Sequence, residues 1–370
     1  MKFFKEHRKF ISLIAILSFI YYGNTLLNEY ALDDTLVAYG NESVKKGIKG
    51  IPELFTRPYV KHERHTYGYR PLTQITYAIE VSLWGFNPHI SHFVNVLLYF
   101  FCCLSLFAFL KFLFPDDIFL WYAGTLIFLI HPVHSEVVAS LKNREVMLAF
   151  LPAIWGCRFI VQSTREPTIK NLLRKFITGT ALITLGMLSK ASAWVFLLLS
   201  FVIILFNYLT AKNKKALLTI IIIILIAVSL IYIYKGTRFL VVEGFRARQY
   251  QPIENPLILH KGIKSRILLG FVSWLFYMKK IFLPYPLISY YGYPVIQMPS
   301  SFFDPTVIIS GLTLLICGSA GIYLYFIKKN PMGLAISMYV VSLLPYLNMG
   351  AIVPGIVAER LAFEATIAFS

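Results

Sequence analysis

The sequence predicts an all-α fold, a polytopic bundle of about ten membrane-spanning helices, and three observations carry that expectation. Hydrophobic residues fill 57% of the 370 positions and charged residues only 14%, against about 25% charged in an average soluble domain. The mean hydropathy is +0.67. Apolar runs of about 17–25 residues, the length that crosses a bilayer core, recur along the chain.

The runs fall near residues 10–27, 92–114, 118–138, 145–163, 173–189, 192–210, 215–234, 305–327, 332–349 and from 355 onward. The first follows a basic start, Lys2 to Lys9, and looks like a signal peptide. No small-x-small cleavage site precedes Asn24, so it reads as an uncleaved anchor. Basic blocks orient the rest. Lys2–Lys9, Arg165–Lys175, Lys212–Lys215 and Lys328–Lys329 all face the cytoplasm if the N-terminus does. Residues 28–90, 131–144, 188–192, 235–304 and 350–358 then gather on the outer side. Residues 265–283 are apolar enough to cross, yet a crossing there would carry Lys328–Lys329 outside. With Arg266, Lys279 and Lys280 at its ends, and Pro284 and Pro286 following, that segment is expected to be a re-entrant or interfacial helix within the outer region 235–304. The run after Pro354 reaches Ser370 partway through what reads as another span, so a longer parent chain is expected. Residues 1–370 read as a single membrane domain.

The formal charge of +17 does not imply nucleic acid, because the cations sit in short blocks between apolar runs. Such blocks fit topology signals and anionic lipid. Cys102, Cys103, Cys157 and Cys317 all lie in apolar segments with no disulfide or metal spacing, and read as small core or lipid-facing residues.

Chemistry-bearing residues concentrate on the outer side. Asp33 and Asp34 follow the first span directly, at the head of the loop 28–90. Two adjacent carboxylates are costly to desolvate there and suit a base that takes a proton from an acceptor. The alternative is an N-cap on a loop helix. The same loop holds Glu42, Arg57, His62, Glu63, Arg64 and His65. Residues 72–83 follow Pro71 with apolar positions at helical spacing, a helix lying flat at the membrane. The run His131-Pro132-Val133-His134-Ser135-Glu136 reads as a substrate-site lining or as a polar helix–loop junction. As metal ligands, His131, His134 and Glu136 lack a further donor group nearby, and no metal is expected. Among outer cations (Lys190, Arg238, Arg246, Arg248, Lys261, Lys264 and Arg360), Lys190 and Arg360 sit between spans. They are the best candidates to hold a lipid-linked phosphate, with snorkelling as the alternative. Tyr285, Tyr290, Tyr291 and Tyr293 form an interfacial aromatic belt or a stacking surface for sugar or isoprenoid.

Several motifs occur in a familiar order: Asp33-Asp34, Tyr69-Arg70-Pro71-Leu72-Thr73, Asn87-Pro88, His92 to Leu98, His131 to Glu136, Asn143-Arg144-Glu145, Leu188-Ser189-Lys190 and Val357-Ala358-Glu359-Arg360. From about residue 10 onward the chain resembles the transmembrane-and-TPR protein O-mannosyltransferases and their bacterial relatives, in the GT-C superfamily. The resemblance implies a GT-C-type helical fold and an active site in the lumen or periplasm. It further implies a polyprenyl-phosphate sugar donor, inversion at the anomeric carbon, and no separate cofactor. The membrane would be a bacterial inner membrane or the endoplasmic reticulum, and the acceptor a protein or glycan hydroxyl. By that likeness one of Asp33 and Asp34 is the general base, with Asp33 favoured. Tyr69, Arg70, His131, His134, Glu136, Arg144, Lys190, Glu359 and Arg360 would bind substrate. Ala191 stands where the family often has an acidic residue after the serine–lysine pair, and Arg144 follows Asn143 rather than glycine. A transporter or flippase of lipid-linked sugars is the chief alternative, and a non-catalytic membrane relative the second.

Overall fold

The computed structural model describes residues 2–62, 65–211 and 250–370, with scattered positions between 217 and 247. Glu63, Arg64, Lys212, Lys214, Lys215, Arg238, Arg248 and most of the expected span 215–234 lie outside the described residues. The rest is almost wholly helical. Five described helices are long and apolar enough to cross a membrane: Arg8–Leu27, Pro88–Leu113, Arg144–Ser163, Ala191–Thr210 and Pro305–Ile327. They match five of the expected runs, and the chain is a multi-pass membrane protein.

The remaining runs depart from the expectation of about ten straight spans, each for a physical reason. Residues 118–138 break into Ile118–Ile130 and Pro132–Ala139, bent by 52°. Pro132 has no N–H and drives His131 out of the helical region, to φ −68 and ψ 119. Residues 173–189 do form a helix, Ile169–Met187, but Lys170, Arg174 and Lys175 make its first half cationic. Pro331–Tyr346 is apolar but shorter than a span. The run from 355 onward is not a transmembrane helix. It folds as two 3-10 turns, Glu359–Leu361 and Glu364–Ala368, with Ala362, Phe363 and Ala365 fully buried. Residues 265–283 form the helix Ile263–Phe282, which falls outside the five span-like helices. It presses Leu269, Trp274 and Tyr277 into a core shared with Leu343, Val357 and Leu361.

One further departure from an all-α reading is a small sheet. Val60–His62 pairs antiparallel with His65–Tyr67, and Arg246–Ala247 adds a parallel strand.

Two packing features position the site. The segment between the first two span-like helices folds as a cap: Val37, Ala38, Val44, Leu54 and Tyr59 share a core with Tyr77 and Ala78 of the Pro71–Trp84 helix and with Leu141. The helices Arg144–Ser163 and Ile169–Met187 also touch backbone to backbone. A Cβ added at Gly156 would lie 2.6 Å from the Gly179 carbonyl oxygen, and one at Gly179 equally close to that of Gly156. Only hydrogen side chains allow that approach, which fixes residues 141–145 relative to the turn at 188–190. Cys102, Cys103 and Cys157 are buried free thiols in the main core, and Cys317 is half-buried.

Candidate active site

Asp33 and Asp34 are adjacent in sequence but sit in different environments. Asp34 is buried, whereas Asp33 is exposed. The Asp34 carboxylate accepts the Lys142 N–H on Oδ1 at 2.8 Å and the Ala31 N–H on Oδ2 at 3.3 Å. Burial raises its pKa, and the proximity of Asp33 adds to that, while the two backbone N–H groups oppose it. Asp33 holds the N-cap position of the short helix Asp34–Val37, yet its side chain makes no capping hydrogen bond. The capping alternative therefore fails for the residue placed to do it.

The Asp34–Lys142 bond ties the acidic pair to a cluster of opposite charges. The Lys142 ammonium lies 3.6 Å from Glu145 Oε1. Arg70 pairs with the other oxygen of Glu145 and stacks 5.0 Å over the ring of Tyr59. Burial lowers the pKa of Lys142, with Arg70 and Arg360 adding to the effect and Glu145 and Asp33 resisting it. Lys190 completes the group from the turn after Ile169–Met187. It is 8% exposed and its ammonium has no hydrogen-bond partner. Burial holds it down to about 8, with Arg70 and Lys142 contributing and Glu145 and Glu364 opposing. The turn itself is pinned to the start of the Pro71–Trp84 helix: Leu72 donates its N–H to the Leu188 carbonyl at 3.3 Å, and Thr73 its hydroxyl to that of Ser189 at 3.5 Å.

Arg360 and Glu136 form a second pair on the rim. Glu136 accepts the Arg360 backbone N–H at 2.9 Å and pairs with its guanidinium. The structure thus brings together Asp33, Asp34, Arg70, Lys190, Glu136 and Arg360. Tyr69 stays outside this set and donates its hydroxyl to the Phe55 carbonyl at 2.8 Å.

Four expected substrate contacts are engaged elsewhere. His131 bonds the Ile281 carbonyl through Nε2 at 3.1 Å and accepts the Val133 N–H on Nδ1 at 3.3 Å. His134 is fully buried between Tyr99 (2.8 Å) and Thr366 (2.9 Å). With both ring nitrogens of each occupied, these histidines tie the 52° bend to the helices around it. These are the contacts expected of a polar helix–loop junction. Arg144 is fully buried, and protein takes all five of its N–H directions: Asn95 (2.7 Å), Thr76 (3.2 Å), the Ser91 carbonyl (2.8 Å) and Glu80 twice. Its guanidinium also stacks 4.1 Å over Tyr77. Nothing of it remains to meet a phosphate. Glu359 accepts the Tyr291 hydroxyl and the Ile288 N–H, the latter at 3.3 Å, and so clamps the segment after the Ile263–Phe282 helix. Tyr291 is accordingly buried, unlike the exposed Tyr285, Tyr290 and Tyr293 of the expected belt. Burial raises the pKa of Glu359.

The sequence patterns gave no role to Glu80, Lys142 or Glu364, and Glu145 entered only as part of the Asn143-Arg144-Glu145 motif. A charged residue opening an apolar helix, as Glu145 does, is the one signal that marks any of them.

Known proteins of similar sequence share one name. The chain is 30% identical over 149 residues to human protein O-mannosyl-transferase TMTC1, covering 38% of this chain and 16% of that protein. It is 30% identical over 132 residues to human protein O-mannosyl-transferase TMTC2, covering 33% and 15%. The Caenorhabditis elegans protein O-mannosyl-transferase F38B6.6 is 22% identical over 372 residues, covering 98% of this chain and 50% of that protein. The chain therefore spans half or less of the length of the curated relatives it matches. No family model and no solved structure matches it. In sequence, the chain resembles the protein O-mannosyltransferases.

Proposed function

We propose that this chain is an inverting glycosyltransferase, moving mannose or a similar hexose from a polyprenyl-phosphate donor to a hydroxyl acceptor at the extracytoplasmic face. The observation that supports this most is the connected run from Lys190 through Glu145 and Lys142 to the acidic pair. It sets a buried unpaired cation at one end and carboxylates at the other, an arrangement with the polarity of glycosyl transfer.

In this reading the donor phosphate meets Lys190, with Arg70, Lys142 and Arg360 adding positive potential. The bond between the anomeric carbon and the phosphate oxygen breaks. The departing phosphate keeps the electron pair, and the cations stabilise the charge it gains. The acceptor oxygen attacks the opposite face of the same carbon. Asp33, exposed and free of capping bonds, takes the acceptor proton. Asp34 is the positioning residue, since both of its oxygens hold backbone N–H groups.

The test is donor turnover in detergent with labelled polyprenyl-phosphate mannose, reading release of polyprenyl phosphate. Asp33→Asn is expected to lose roughly 10²–10⁴-fold in rate. Full activity in that variant rejects the base assignment. A protein that merely moves lipid-linked sugars releases no polyprenyl phosphate, so a wild type without release overturns the transferase reading itself.

A further inference from the structure

Beside Lys190 lies a set of polar atoms that the mechanism above does not use. Ser189 Oγ, Lys190 Nζ and Glu364 Oε2 are buried and without a hydrogen-bond partner, and the Tyr346 hydroxyl is buried beside Ser192. Lys190, Tyr346 and Glu364 form one neighbourhood, and Ser189 precedes Lys190 in the chain. Lys190 and Glu364 feel each other's charge, Tyr346 feels that of Glu364, and Ser192 donates to the other Glu364 oxygen at 3.4 Å. A buried polar group left unsatisfied is costly, so these groups together point to an occupant that satisfies them.

The chemistry of the four narrows that occupant. The ammonium only donates, the carboxylate only accepts, and the two hydroxyls do either. A bare phosphate suits Lys190 and is repelled by Glu364. A neutral sugar suits Glu364 and the hydroxyls but leaves the ammonium without a counter-charge. A glycosyl phosphate satisfies both, and the hydroxyl nearest its phosphate is the one on C2, next to the anomeric carbon.

Resting on the transferase reading, we propose that Glu364, supported by Tyr346 and Ser189, accepts a hydrogen bond from the C2 hydroxyl of the donor sugar while Lys190 holds its phosphate. Glu364 is thereby a specificity-determining residue, because the configuration at C2 separates the manno from the gluco series. Neither Glu364 nor Tyr346 belongs to the motifs that suggested the function.

The experiment measures binding of three lipids to the full chain in detergent: polyprenyl-phosphate mannose, its 2-deoxy analogue and bare polyprenyl phosphate. Wild type is expected to bind the 2-deoxy donor roughly 10–100-fold more weakly than the mannose donor, the range for a hydrogen bond to a charged group. In Glu364→Met that gap closes to within about threefold, while affinity for bare polyprenyl phosphate holds or rises because the carboxylate that repels it is gone. Tyr346→Phe narrows the gap to a lesser degree and keeps the test decisive if Glu364→Met misfolds. Variants that keep the full wild-type gap overturn the proposal, as does an equal loss of affinity for all three lipids in a variant with wild-type thermal unfolding. Wild type that binds none of the three overturns the transferase reading instead.

Discussion

Arg144 and Lys190 are both buried cations, and their surroundings are opposite. Every N–H of Arg144 has a protein acceptor and its guanidinium lies on the ring of Tyr77. Lys190 is almost as deeply buried and its ammonium has no hydrogen bond. Burial therefore does not separate the two cations; unmet hydrogen-bonding capacity does, and it is the ground on which Lys190 is proposed to meet the donor. The same contrast separates Asp34, held by two backbone N–H groups, from exposed Asp33.

The largest effect that can break this comparison comes from truncating Arg144. Arg144→Ala strands Glu80 as an unpaired carboxylate and removes the acceptors' donors at Asn95, Thr76 and Ser91. Breaking a buried pair costs about 3–5 kcal/mol, so thermal unfolding in detergent should show a strong loss of stability. Lys190→Met should do the reverse. It deletes an unpaired buried charge, leaving stability unchanged or raised, while affinity for bare polyprenyl phosphate falls roughly 10–100-fold. A stable Arg144→Ala that fails to bind donor, or a Lys190→Met that unfolds yet still binds, reverses the two roles.

A smaller effect sharpens the same point at His134. His134→Ala empties an imidazole's place in the core and removes one of the partners of the Tyr99 and Thr366 hydroxyls, which keep their bonds to the Phe128, Leu129 and Phe363 carbonyls. The expected cost is about 1–3 kcal/mol of stability, with donor affinity unchanged once the protein is folded. A loss of donor affinity at full stability would return the double-histidine run to the substrate site.

That run shows how far the sequence carries and where it stops. Hydropathy located five helices that are long and apolar enough to span, because each is a long, little-interrupted apolar run. It misjudged the segment after Pro354, where apolar composition serves burial inside protein instead of hydrocarbon: Phe363 packs on Phe128 and Phe150, and Glu364 and Thr366 turn inward. Motif order singled out Asp33, Asp34, Arg70, Lys190, Glu136 and Arg360, which the fold does assemble. It could not separate these from His131, His134, Arg144 and Glu359, because a polar residue that pins a bend and one that meets a ligand look alike in one dimension. Lys142 and Glu364 were illegible for a related reason. Lys142 reads as one more loop cation, and Glu364 as an interruption in an apolar run. Their meaning depends on partners at residues 34 and 190, which only the tertiary structure reveals.

The smallest expected effect is a pH dependence at Lys190. Burial is the main cause that brings its pKa down to about 8, below the ordinary lysine value that the unfolded chain retains. The folded protein therefore carries a disfavoured ammonium below that pH and sheds it as the pH rises. Through the window from about 8 to the ordinary lysine range the unfolded state binds more protons, so stability of the ligand-free protein should increase with pH there. Affinity for bare polyprenyl phosphate should move the other way: level below about pH 8, then falling by up to about tenfold per unit as the ammonium is lost. Lys190→Arg keeps its charge over this range and should flatten the affinity profile. The measurement is donor affinity and thermal unfolding on the same samples from pH 7 to 10. Opposite slopes in wild type, both removed in Lys190→Met, are expected of an unpaired cation awaiting an anion. Parallel slopes would mean that Lys190 is already neutralised by Glu145 and Glu364, which would erase its difference from Arg144.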